Sequence, residues 1–270
     1  MILPNFLICG AEKSGTTSLY KYLNSHPDIL FSKPKETFFF NRHFSKGKKW
    51  FAEHFNDYSG EKLIGEGTAT TMYSSKAPQR IQEVLGSPKL IFVLRNPIDR
   101  AYSQYYFYLK KGKIEPSQSF VESIKEDSWG ILSKGIYIDH LIKFSNFDKK
   151  ILLSKDLKRK PVSTIREVFS FLGVNNKFYP TVGEEYNKTT YPRSRATYHY
   201  IRSVWHAIRS VVEPTFPGAV DVVRKKVRNI MFGKKKPEMS REVKEYLQDF
   251  YADPNVRLEH YLDSDLSHWK

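Results

Sequence analysis

The stretch Leu7-Ile8-Cys9-Gly10-Ala11-Glu12-Lys13-Ser14-Gly15-Thr16-Thr17-Ser18-Leu19 passes from an apolar segment through a Gly/Lys/Ser/Thr turn into an amphipathic pattern. It predicts a strand, an anion-cradling loop and a helix in direct succession. Unpaired N–H groups in the first turn of a helix point outward with the positive end of the macrodipole, so this turn suits a phosphate or sulfate group. Gly10 and Gly15 let the backbone come close to an anion, and Lys13 adds a mobile charge. Leu19, Tyr22 and Leu23 recur at helical spacing before Asn24-Ser25-His26-Pro27 breaks the pattern, so the helix is predicted from Thr16 to Ser25. The loop departs from the pattern G-x-x-x-x-G-K-[ST], because Lys13 precedes Gly15 and Thr16 stands where that pattern has its lysine. A nucleotide site is expected, and a magnesium-dependent nucleotide hydrolase is not favoured.

The 270 residues, 40% of them hydrophobic, suffice for one α/β domain covering 1–270. No apolar run of about 18 residues is present to span a bilayer, and the first strand comes too early for a signal peptide. A soluble chain is expected. Cys9 is the only cysteine and lies in the apolar run, where a buried structural thiol is the favoured reading; a reducing cytoplasm is compatible with it. The net charge of +15 favours an anionic ligand, a polyanionic substrate or an acidic membrane surface. From Arg193 to Lys236, eleven basic residues face only Glu213 and Asp221. That segment, which includes Lys225 and Lys226, is expected to be mostly helical and to meet a polyanionic acceptor or lead the protein to the membrane periphery; nucleic acid is the less favoured partner.

Four runs read as strands: Asn5 to Cys9, Leu63 to Glu66, Lys89 to Leu94 and Ile151 to Ser154. Helical stripes include Ile81, Val84 and Leu85 before Gly86, and Ile165, Val168, Phe169 and Leu172 between Pro161 and Gly173. Shorter stripes are Phe120, Val121, Ile124 and Ile138, Leu141, Ile142, and a last helix carries Val243, Tyr246, Leu247 and Phe250. Two helices are expected between Tyr198 and Phe232, interrupted at Pro214 and Pro217. Continuous apolar strands alternating with helices argue for a parallel, P-loop-like sheet covered on both faces, with a basic helical C-terminal region.

Leu94-Arg95-Asn96-Pro97 through Ser103 forms a second block of interest. Arg95 falls at the C-terminal end of a predicted strand, where open α/β sheets bind ligands, and its guanidinium suits bidentate phosphate contact. Pro97 begins a helix that carries Ser103 about two turns along. An Arg95–Asp99 ion pair and a packing role for Ser103 are the alternatives. Two anion-binding elements at successive strand ends point to a ligand with phosphates at two separate positions, the form of adenosine 3′-phosphate 5′-phosphosulfate (PAPS).

Lys13-Ser14-Gly15-Thr16-Thr17-Ser18-Leu19 resembles the 5′-phosphosulfate loop of PAPS-dependent sulfotransferases, and Leu94-Arg95-Asn96-Pro97 through Ser103 resembles their 3′-phosphate motif. Similarity continues through Lys35-Glu36-Thr37-Phe38-Phe39, Gly135-Ile136-Tyr137, Phe171-Leu172-Gly173-Val174, Asn187 through Arg195 and Asp265-Leu266-Ser267-His268-Trp269, closest to bacterial relatives of Golgi carbohydrate sulfotransferases of heparan-sulfate type. The resemblance implies transfer of a sulfuryl group from PAPS to a hydroxyl of a carbohydrate-containing acceptor, leaving adenosine 3′,5′-bisphosphate, with no metal expected. Lys13 would stabilise the leaving phosphate and Glu36 would act as base. Ser14, Gly15, Thr16, Thr17, Ser18, Arg95, Ser103, Tyr137 and Arg193 join Lys13 as nucleotide contacts. His26, His43, His54 and Glu66 are the other candidates for base or helper, and a surface ion pair with Lys35 is the alternative for Glu36. Some Golgi members carry a lysine after the glutamate of their third motif. Here that motif reads Gly65-Glu66-Gly67-Thr68, and Gly67 supplies no charge. A degenerate P-loop kinase and a non-enzymatic polyanion-binding or membrane-binding protein are the competing functions.

Overall fold

The computed structural model describes residues 1–180, 190–193, 232–233 and 235–269. Most of the basic 193–236 segment, with the two helices expected there and Lys225 and Lys226, lies outside the described residues. The chain divides into two compact units, the first comprising Met1–Arg100, Lys134–Asn187 and Asp249–Lys270 and the second Ala101–Ser133 and Lys188–Gln248.

In chain order the elements are β1 (Phe6–Gly10), α1 (Thr16–Leu23), β2 (Ile29–Phe31), α2 (Gly47–Ala52), β3 (Leu63–Glu66), α3 (Ala77–Leu85), β4 (Lys89–Leu94) and α4 (Pro97–Lys110). They continue with α5 (Phe120–Lys125), α6 (Tyr137–Leu141), β5 (Lys149–Leu153), α7 (Ser154–Arg159), α8 (Pro161–Leu172), β6 (Tyr191–Pro192), β7 (Phe232–Gly233) and α9 (Arg241–Leu262).

The first unit is built on a five-stranded parallel sheet in the order β2-β3-β1-β4-β5. Side chains alternate across a strand, which explains why β1 and β4 are apolar throughout. Leu7, Cys9, Leu90, Phe92 and Leu94 pack on one face with Ile81 and Val84 of α3, Leu141 of α6 and Leu258 of α9. Phe6, Ile8, Ile91 and Val93 pack on the other with Leu19 and Leu23 of α1 and Ile165, Val168 and Phe169 of α8. Gly65 sits where strand and core approach closely: a Cβ there would run into the Phe6 ring and stand 2.7 Å from Phe31. Cys9 is buried, and burial pushes its thiol well above the usual range, with Glu66 adding to the effect.

Four strands fall where the apolar runs predict them, with β5 starting earlier, at Lys149. β2 is an addition, too short for any periodicity to reveal. α1 ends at Leu23, before the predicted Ser25. Local chemistry sets other boundaries: Asn96 Oδ1 accepts from the N–H groups of Ile98 (2.9 Å) and Asp99 (3.3 Å) to cap α4. Gly173 (φ 86°) ends α8, its N–H donating to Phe169 O at 2.9 Å. Ile142 departs from its predicted stripe. It is exposed, because α6 passes into a tighter 3-10 turn at that residue and the apolar face no longer follows helical spacing.

The second unit is held by rings with polar tips. Along α4, Tyr102 and Tyr105 meet the Phe120 ring edge-on at 5.0 and 5.4 Å, and Tyr106 meets Tyr191 at 5.0 Å. Ser119 and Glu122 form a reciprocal capping box on α5. β6 and β7 pair antiparallel.

Candidate active site

Because the sheet is parallel, the C-terminal ends of β2, β3, β1 and β4 lie along one edge and deliver the segments bearing Glu36, Glu66, Lys13 and Arg95. β1 is the switch point, with connections leaving to either side of it, and such a point is where open α/β sheets form a ligand crevice.

The loop between β1 and α1 is fixed by backbone. Ala11 N donates to Val93 O at 2.8 Å, Ser14 N to Ala11 O at 3.2 Å, and Lys13 and Gly15 take positive φ of 68° and 110°. A non-glycine residue held left-handed carries strain of the kind that clusters at ligand-gripping turns. α1 has no side-chain cap, so its leading N–H groups meet no competitor from Gly15, an arrangement that can accept an anion. The Ser14 hydroxyl is buried near the Tyr137 phenol and makes no hydrogen bond of good geometry among the described residues, which leaves it able to bond a ligand. Thr16 is also buried, while Lys13, Thr17 and Ser18 are half-buried.

Arg95 leaves β4 beside this loop, its Nη1 donating to Lys13 O at 3.3 Å. The alternative partner, Asp99, is only a loose neighbour, 4.0 Å from Nη2. The buried Tyr137 donates its hydroxyl to Arg95 O at 2.8 Å, and the Tyr73 hydroxyl accepts from Glu12 N at 3.1 Å. Burial pushes both phenols up, opposed by the Arg100 guanidinium, so both stay neutral and hold backbone rather than charge. Glu12 pairs with Lys134 at 3.1 Å. Nothing in the sequence marks Tyr73 or Lys134 for this work, since the segments they join are distant along the chain.

On the other side of β1 the two glutamates differ sharply. Glu66 is fully enclosed and accepts from Thr37 N (3.1 Å), Thr37 Oγ1 (3.0 Å), Thr68 N (3.2 Å) and Thr68 Oγ1. Burial raises its pKa against those four donors. Glu66 therefore acts as a clasp between the strand end and Thr37. Glu36 is more open, its carboxylate meeting Lys35 Nζ at 3.5 Å and Ala69 N at 3.4 Å through Oε1.

A family model described as Sulfotransferase domain matches residues 3–263. The chain belongs to the sulfotransferase domain family. It is 28% identical over 99% of its length to mouse bifunctional heparan sulfate N-deacetylase/N-sulfotransferase 4, covering 31% of that protein. It is 39% identical over 47% of its length to the membrane-associated sulfotransferase kil1 of Dictyostelium discoideum, covering 29% of that protein. The chain thus spans about a third of the length of these relatives. A sulfotransferase crystal structure from Alicyclobacillus acidocaldarius shares the fold, with a TM-score of 0.73 at 24% identity over 100% of this chain and 99% of that one.

In this sulfotransferase domain the histidines fill structural posts. His26 is buried, its Nδ1 accepting from Asp28 N and its Nε2 facing Asn175 O, both at 3.1 Å, so neither ring nitrogen is available as a base. His54 Nδ1 faces Trp50 O at 2.9 Å, and His43 packs edge-on against the Trp50 ring at 5.5 Å. Ser103 and Arg193 belong to the second unit, Ser103 buried on α4 and Arg193 exposed after β6. Among the described residues no three His, Cys, Asp or Glu side chains gather as a metal site, and no helix is long and apolar enough to cross a membrane.

Proposed function

We infer that this sulfotransferase domain moves the sulfuryl group of PAPS to a hydroxyl of a carbohydrate-containing acceptor. The observation that carries the reading is the joining of two anion-binding elements, the uncapped loop after β1 and the guanidinium after β4, by the Arg95–Lys13 O contact of 3.3 Å. The buried Ser14 hydroxyl supports a fit to a phosphosulfate. PAPS supplies the activated sulfuryl group and a phosphate leaving group. Lys13 and the N–H groups of the turn up to Thr17 take the 5′ end, with the Ser14 and Ser18 hydroxyls beside them, and Arg95 takes the 3′-phosphate. Ser103, Tyr137 and Arg193 are proposed nucleotide contacts on the resemblance, with Tyr137 also setting the strand end that bears Arg95.

As the acceptor oxygen bonds to sulfur, the bond from sulfur to the bridging phosphate oxygen breaks, Glu36 takes the acceptor proton, and Lys13 meets the charge developing on the leaving phosphate. Adenosine 3′,5′-bisphosphate departs. The carbohydrate acceptor is supported by similarity to heparan sulfate enzymes. The net charge of +15 supports a polyanionic acceptor or acidic membrane contact through 193–236, and the single buried cysteine, Cys9, is compatible with a reducing cytoplasm.

Calorimetry with adenosine 3′,5′-bisphosphate tests the nucleotide site. Binding is expected, weakened about 10-fold to 100-fold by Arg95→Ala through loss of a charge-assisted contact. Transfer from labelled PAPS to desulfated heparan sulfate tests the chemistry. No binding, or magnesium-dependent turnover of ATP in its place, overturns the assignment.

A further inference from the structure

The Lys35–Glu36 pair differs from the surface ion pair that adjacent opposite charges usually make. Only 17% of the Lys35 side chain is exposed, against 37% for Glu36. The lysine stem lies over Gly67: a Cβ there would meet Lys35 Cε at 3.4 Å and Cγ at 3.6 Å. Its ammonium stands 5.8 Å from the ring centroid of Tyr20, on the helix that follows the anion loop. The Lys35 carbonyl accepts from Ser32 Oγ at 3.0 Å and from Gly67 N at 3.3 Å, so the residue is anchored from both sides.

Burying an ammonium is unfavourable unless an opposite charge compensates. Burial lowers the Lys35 pKa, and Glu36 and then Glu66 oppose that shift. Such a placement is retained when the cation holds something in position. Both contacts to Glu36, from Lys35 Nζ and from Ala69 N, fall on Oε1. Oε2 is left to take a proton.

We propose that Lys35 is a positioning residue for the base: it holds Oε1 of Glu36 from a largely covered post above Gly67 and so aims Oε2 at the acceptor hydroxyl. The proposal rests on sulfuryl transfer with Glu36 as base.

Lys35→Met keeps the stem and removes the charge. The test measures labelled PAPS turnover, both to desulfated heparan sulfate and to water, together with calorimetric affinity for adenosine 3′,5′-bisphosphate. Lys35→Met is expected to lower kcat about 10-fold to 100-fold, the scale of a displaced catalytic group, with nucleotide affinity and the KM for PAPS unchanged. Lys35→Arg restores most of the rate. In a Glu36→Gln background the same Lys35→Met change costs less than about twofold, because a residue acting through Glu36 has nothing left to position. Wild-type turnover by Lys35→Met, or an equal multiplicative loss in both backgrounds, overturns the role of Lys35 alone. A wild-type protein that neither binds the bisphosphate nor turns over PAPS overturns the sulfuryl-transfer reading itself.

Discussion

Between β1 and α1 the chain turns on its backbone, with Lys13 and Gly15 at positive φ and a helix start that no side chain caps. After β2, by contrast, side chains from elsewhere do much of the holding between Lys35 and Phe38: Glu66 grips Thr37 and the Thr68 hydroxyl accepts from Phe38 N at 3.1 Å, while the main-chain Ala69 N reaches Glu36. A cradle of main-chain N–H groups presents fixed dipoles to a ligand with nothing to reorganise. A carboxylate proposed to collect a proton needs its side chain oriented by its neighbours. The first arrangement suits holding a nucleotide, and the second suits placing a base.

The largest test of that division is Lys13→Ala. Transfer should fall about 1,000-fold, the scale of removing one preorganised group from developing charge, while the unfolding free energy stays within about 0.5 kcal/mol of wild type. Measured kcat and denaturant unfolding check both halves. An intermediate effect is expected from Glu66→Ala, which leaves buried Thr37 and Thr68 donors unsatisfied. A stability loss of about 2 kcal/mol is predicted by urea unfolding, with transfer impaired and bisphosphate affinity kept. Equal loss of affinity would erase the distinction between the two regions. The smallest change is Tyr137→Phe, which removes one neutral hydrogen bond to Arg95 O. It should weaken bisphosphate binding by about 1 kcal/mol, or roughly fivefold, in calorimetry.

Sequence pattern and structure agree best where one short segment contains its own reasons. β1 and, from Leu90 onward, β4 are continuous apolar runs, Pro97 and Pro161 open α4 and α8, and Gly86 and Gly173 close α3 and α8. The anion loop is legible for the same reason, because its glycines, lysine and hydroxyls are consecutive. What escapes sequence reading depends on residues brought together from afar. Thr37 meets Glu66 across 29 positions, Tyr137 meets Arg95 across 42, and Glu12 meets Tyr73 across 61. Lys35 illustrates the limit: next to Glu36 in sequence it reads as a solvated partner, and only its packing along Gly67 and near the Tyr20 ring reveals a largely covered cation.

The chain's single sulfur nucleophile has a practical consequence. Cys9 sits one residue before the turn into the anion loop, sealed on the central strand and kept in its unreactive thiol form by its surroundings. Alkylating reagents reach it only when that strand opens. The rate of its modification is therefore a built-in clock for breathing at the sheet's middle, and slowing of that clock by a bound bisphosphate would report occupancy without an acceptor or a radiolabel.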